Sequence, residues 1–102
     1  MRPTIELTFD GEIIEWRGPA PFHFVRVPED EAGVISDVKA ALTYGWGCIP
    51  VTARIGDTEY TTSLFPRQGG YLVPVKDVVR KAEHLALGDD VTVQLTLDMS
   101  KV

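Results

Sequence analysis

Apolar and polar residues alternate with a period of two in stretch after stretch of this chain, and glycine, proline or aspartate ends most of them. Ile5, Leu7 and Phe9 alternate with Glu6 and Thr8. Ile49, Val51, Ala53 and Ile55 alternate with Pro50, Thr52 and Arg54. Val91, Val93, Leu95 and Leu97 alternate with Thr92, Gln94 and Thr96. Successive strand side chains point to opposite faces, so each stretch reads as a strand with one buried face. Residues 22–27, 58–65 and 71–73 add three more, and Gly56-Asp57 makes a hairpin of residues 49–65. A chain so patterned must close or cover a sheet, which predicts a mainly β fold.

The breakers fix where strands stop. Asp10-Gly11 has two readings: a tight hairpin turn, or a glycine bulge in one long bent strand reaching Trp16. Arg17-Gly18-Pro19-Ala20-Pro21 provides stronger turn chemistry soon after, which favours the bulge. Pro50 implies a strand end or an edge. Pro28 opens a helix whose first turn holds Glu29, Asp30 and Glu31, matched to the positive end of the dipole. Val34, Ile35, Val38, Ala41 and Leu42 share one face of it. Pro74-Val75-Lys76 opens a second helix, with Val75, Val78, Val79, Ala82 and Leu85 as its buried stripe. The two strand–proline–helix passages form a short internal repeat, which implies two similar halves with pseudo-twofold packing.

The 102 residues suit a single domain over 1–102. The net charge of -5 opposes a phosphate backbone and makes a nucleic-acid partner unlikely on charge alone. One cysteine, Cys48, allows no intrachain disulfide, which fits a reducing compartment. With no signal-peptide pattern and no long apolar run, the expected location is cytoplasmic and no membrane is expected as partner.

The candidate sites are few. Arg67, Lys76 and Arg80, with Ser63 as an added donor and Gly69-Gly70 beside them, suggest a small anion site with Lys76 in a helix's first turn. The structural alternative is a solvated basic face that pairs with the acidic first helix. Trp46, between two glycines, reads as an interface anchor or as a lid on the core. Trp16 shares strand parity with Ile14, and both are expected to pack inward. His23, between Phe22 and Phe24, is expected to face away from them. A reactive Cys48 needs a base, and nothing places His23 or His84 beside it. No metal, cofactor or catalytic constellation emerges: one cysteine and two scattered histidines lack ligand spacing, and the carboxylate runs at residues 29–31 and 89–90 read as helix and turn chemistry.

Several motifs occur together and in order. They are Trp16-Arg17-Gly18-Pro19-Ala20-Pro21, Val27-Pro28-Glu29, Gly45-Trp46-Gly47, Ile49-Pro50-Val51, Thr62-Ser63-Leu64-Phe65-Pro66, Leu72-Val73-Pro74-Val75-Lys76, Val79-Arg80-Lys81-Ala82 and Gly88-Asp89. This combination resembles a bacterial domain-of-unknown-function family of small proteins, also found joined to YdeI/OmpD-associated bacteriocin-protection domains. The resemblance implies a double-split β-barrel related to AbrB-like and MazE-like proteins, with both halves in one chain. It implies no established activity. The expected function is a non-enzymatic binding or interaction module for a protein or a small anionic ligand. The alternative is an AbrB-like DNA-binding regulator or antitoxin, which the acidic charge and the missing basic arm oppose. Monomer and homodimer both remain open.

Overall fold

The computed structural model describes residues 4–16, 22–42 and 49–98, with backbone alone at Trp16 and at residues 39–42. Six strands close into a barrel ordered β1-β2-β5-β4-β3-β6, every neighbouring pair antiparallel. They are β1 (Thr4–Trp16), β2 (Phe22–Arg26), β3 (Ile49–Ile55), β4 (Thr58–Arg67), β5 (Gly70–Val75) and β6 (Asp90–Asp98). Helix α1 (Glu29–Leu42) follows β2, and the short α2 (Asp77–Ala82) follows β5. Each strand has two neighbours, though not along its whole length: β1 pairs with β2 only over residues 13–16, and β3 with β6 only over Thr52–Ile55.

The chain divides into two β-β-α-β halves: β1, β2, α1, β3, then β4, β5, α2, β6. Exchanging the halves, β1 for β4, β2 for β5 and β3 for β6, returns the same cyclic strand order. β2 and β5 lie side by side across the pseudo-twofold, with Val25 opposite Val73. The same residue interval separates the two helix starts, Glu29 and Asp77. The symmetry therefore lies in the strand–helix order. The proline repeat read from sequence does not mark it, because Pro74 lies inside β5, opposite Phe24, and α2 begins only at Asp77.

The inner face carries the core. Ile13, Val25, Ile49, Ala53, Leu64, Val73, Val93, Leu95 and Leu97 are wholly buried there, with Ile35 of α1 and Val79 of α2. The alternation within β3 and β6 lands on its expected faces. Gly56 adopts φ +59° and Gln68-Gly69 adopt φ +51° and +76°, the left-handed geometry that two-residue hairpins require.

Four expectations need correction. Asp10-Gly11 is neither a turn nor a bulge: β1 runs through it, and the register with β6 is unbroken from Thr4↔Asp98 to Glu12↔Asp90. Gly11 is there because β2 comes close; a Cβ would stand 2.5 Å from Val25 Cγ1. Ile14 is 38% exposed and faces outward, because Ile13 takes the inner position. The side chain of Trp16 lies outside the described residues, as do Trp46 and Cys48. Among the described side chains of α1, Ala32 and Ile35 are buried while Val34 is exposed; the side chains of Ala41 and Leu42 lie outside the described residues. On α2 Val79 is buried but Val78 is 69% exposed and Ala82 is exposed, because a helix of six residues turns only a narrow side inward.

Candidate functional site

The barrel's outer surface has two unlike sides. Where β1, β6, β3 and β4 run together, one row across the strands reads Glu6, Thr96, Thr52, Thr61. Nearby, Thr92 Oγ1 donates to Asp10 Oδ1 at 2.6 Å. That side is polar and hydrated by composition. Across β1, β2, β5 and β4 the outward rows read Ile14, Phe24, Pro74 and Arg26, Leu72, Phe65. Phe24 and Leu72 are buried yet stand outside the main core cluster. They form the floor of a groove of about 460 Å³ lined also by Ile14, Arg26, Arg67 and Gln68.

Two aromatic side chains stand over this floor. Phe22 is 60% exposed and Phe65 44%. Phe24 lies between them, its ring centroid 6.4 Å from Phe22 and 6.3 Å from Phe65, the latter edge-to-face at 87°. Such edge contacts are favourable for aromatic pairs and hold Phe24 in place. Exposed apolar side chains grouped in this way, with a polar border, are typical of interaction surfaces.

The border is cationic and shaped by the β4–β5 turn. Arg26 shares outward parity with Phe22 and Phe24, and its Nη2 donates to the Gln68 carbonyl at a long 3.4 Å. Gly70 makes room for this, since a Cβ there would come within 2.9 Å of Arg26 Nη2. Arg67, opposite Gly70 at the end of β4, lines the same groove. Beyond the turn, a second cleft of about 420 Å³ runs under α1 between Arg26, Glu29, Gly33 and Ser36. Arg26 therefore lines both the groove and the cleft.

The structure divides the four residues read from sequence as an anion site: Arg80 N donates to the Lys76 carbonyl one turn away, whereas Arg67 lies far along β4. Thr61, whose carbonyl accepts from Lys76 Nζ at 2.8 Å, precedes Arg67 on β4 by six residues, which is about 20 Å of strand. Ser63 faces outward between them, opposite Pro50. Lys76 is the N-cap of α2, with extended backbone, and lies outside the first turn. Arg80 Nη2 donates to Asp77 Oδ1 at 2.7 Å, and its Nε is buried with no hydrogen-bond partner. That bond and the Arg80 charge hold the Asp77 carboxyl below the usual carboxylate range. Arg26 was missed as a member, although its parity with Phe22 and Phe24 was legible in the sequence.

Other titratable groups serve the fold. His23 faces inward as expected, half-buried, with Nε2 3.8 Å from Glu15 Oε2. Tyr60 donates its hydroxyl to the Pro74 carbonyl at 2.8 Å, and burial pushes its pKa up to about 12. Glu83 ties the end of α2 to the β3–β4 hairpin, accepting from Thr58 Oγ1 at 2.6 Å. Among the described residues no cluster of three His, Cys, Asp or Glu is placed to hold a metal ion. Among them also, no helix is long and apolar enough to cross a membrane.

No curated protein matches the chain at significant similarity. Residues 9–95 match a family described as a domain of unknown function, DUF1905. That match runs from the inward-facing Phe9 of β1 to Leu95 of β6, taking in both halves of the barrel and the aromatic face, so the chain belongs to the DUF1905 family.

Proposed function

We propose that this barrel is a non-enzymatic binding module that engages an anionic, partly apolar ligand or partner on the outer face of β2, β5 and β4. The observation that carries this reading is the pair Phe22 and Phe65, exposed over the Phe24–Leu72 floor with Arg26 and Arg67 at the border. Apolar contact supplies area, and guanidinium groups supply direction, since planar forks select carboxylate and phosphate geometry. Lys76 and Arg80 form a second basic patch whose charges are engaged by Thr61 and Asp77. This reading centres the anion contact on Arg26 and Arg67 because these two, and not Lys76 or Arg80, line the groove beside Phe24 and Leu72.

Amide-resolved NMR titration with phenylacetate, which joins a ring to a carboxylate, tests the reading. Shifts should cluster at Phe24, Arg26, Gln68 and Leu72 and shrink in Arg67→Glu. Shifts confined to Lys76 and Arg80 would move the site, and the absence of any clustered shift would remove it.

We also read the barrel as kin to the AbrB-like double-split barrels, in a bacterial, cytoplasmic setting. The exchange symmetry of its two β-β-α-β halves supports that kinship. A DNA-binding role would show as a gel shift at low salt, where nonspecific binders associate at roughly 10⁻⁴–10⁻⁶ M. The acidic residues along the polar side weigh against it.

A further inference from the structure

We infer, resting on that reading of the face, that its occupant is a short linear peptide segment of a partner protein, in which large apolar side chains are flanked by aspartate or glutamate. Every strand already has a neighbour on either side in the closed order, so the contact this outer face offers a partner is through side chains rather than by strand addition. The groove at Ile14, Phe24 and Leu72 is open along one side, whereas small-molecule sites enclose most of their ligand. A half-open groove with an apolar floor and polar, charged walls suits a chain that enters, anchors one or two apolar side chains and leaves.

Charge selects the flanking residues. Arg26 lies directly opposite Leu72, which lies directly opposite Phe65, so a guanidinium sits one strand from the apolar floor. Arg67 is two residues from Phe65 on the same outward face. A carboxylate next to an apolar anchor therefore meets a guanidinium without leaving the groove.

Competing occupants fit less well. Single-stranded nucleic acid needs ring faces open to successive bases, but the Phe rings here are tilted at 55° and 87° to one another and Phe24 is buried. A polyanion would also meet Glu15 in the groove and Glu29 in the adjoining cleft. A second copy placed over this face by a twofold would set two cationic borders in one interface.

The test is selection of a random-sequence peptide library on the immobilised full chain, with enriched peptides then measured by fluorescence anisotropy. Enriched sequences should combine aromatic or aliphatic residues with Asp or Glu. Arg26→Glu and Arg67→Glu should each weaken binding by roughly tenfold or more, Phe65→Ala similarly, and Lys76→Glu should leave it unchanged. NMR spectra of each variant establish that it is folded. Enriched peptides that need Phe65 but carry no acid, or that survive both charge reversals, overturn the peptide chemistry while leaving the face intact. Tighter binding of a single-stranded oligonucleotide or an anionic vesicle, or self-association lost in Phe65→Ala, assigns the face to that occupant instead. Independence from Phe22, Phe65, Arg26 and Arg67 alike overturns both readings.

Discussion

Replacing Gly11 with alanine should destabilise this barrel, although the same change in an ordinary strand is neutral or favourable. Gly11 sits in β1 just before the strand passes from its ladder with β6 to its ladder with β2. A Cβ at this position would lie 2.5 Å from Val25 Cγ1 and 3.5 Å from the Arg26 carbonyl oxygen. Val25 is fully buried, and a β-branched side chain has few rotamers in which to retreat. Overpacking costs ~1–3 kcal/mol, and an approach this close to a buried β-branched side chain belongs at the upper end, ~2–3 kcal/mol, which leaves ~1–2.5 kcal/mol after the ~0.5–1 kcal/mol that alanine gains over glycine in the unfolded chain. At roughly 4–8 °C per kcal/mol, the melting temperature should fall by roughly 4–20 °C. Gly33→Ala is the internal control: a Cβ there meets nothing within 4 Å, and the residue lies in α1. It should stabilise by up to ~1 kcal/mol. Thermal unfolding followed by circular dichroism reads both. The double variant Gly11→Ala, Val25→Ala should lose less than the two single changes together, with a coupling of about 1 kcal/mol. A Gly11→Ala protein as stable as the parent would refute the close-approach account of β1 and β2.

The two neighbouring valines of α2 should separate sharply. Val79→Ala removes wholly buried methyl groups and should cost ~1–3 kcal/mol, whereas Val78→Ala, at a 69% exposed position, should change stability by less than ~0.5 kcal/mol; equal losses in urea titrations would contradict the placement of α2. Tyr60 should make the fold sensitive to alkali. Its folded pKa of about 12 stands above the ordinary tyrosine value of 10.0, so the fold favours the neutral phenol. That contribution is intact below pH 10.0 and is lost as the pH rises towards about 12. With partial exposure the loss should be ~1–2 kcal/mol. Denaturant titrations across that window should show the decline in the parent and not in Tyr60→Phe, which should be weaker than the parent below pH 10.0 because the Pro74 carbonyl loses its donor, the two curves converging as the pH rises.

The alternating stretches by themselves settled the strands and the inward faces of β3 and β6, because a period of two leaves only one face to bury. The residue types at Gly56-Asp57 settled the hairpin between β3 and β4, and the acidic run at residues 29–31 located the start of α1. Tertiary structure decided what depends on distant neighbours. Ile14 and Ile13 are equally apolar, and only the pairing of β1 with β2 and β6 turns Ile13 inward. Gly11 resembles a turn residue until Val25 is brought beside it. The basic residues near Lys76 look contiguous in the chain, yet the length of β4 carries Arg67 away from Lys76 and Arg80, while β2 brings Arg26 to it across β5. Local pattern fixes which way a side chain points within its element, whereas long-range strand pairing fixes which side chains become neighbours, and a binding face is made of neighbours.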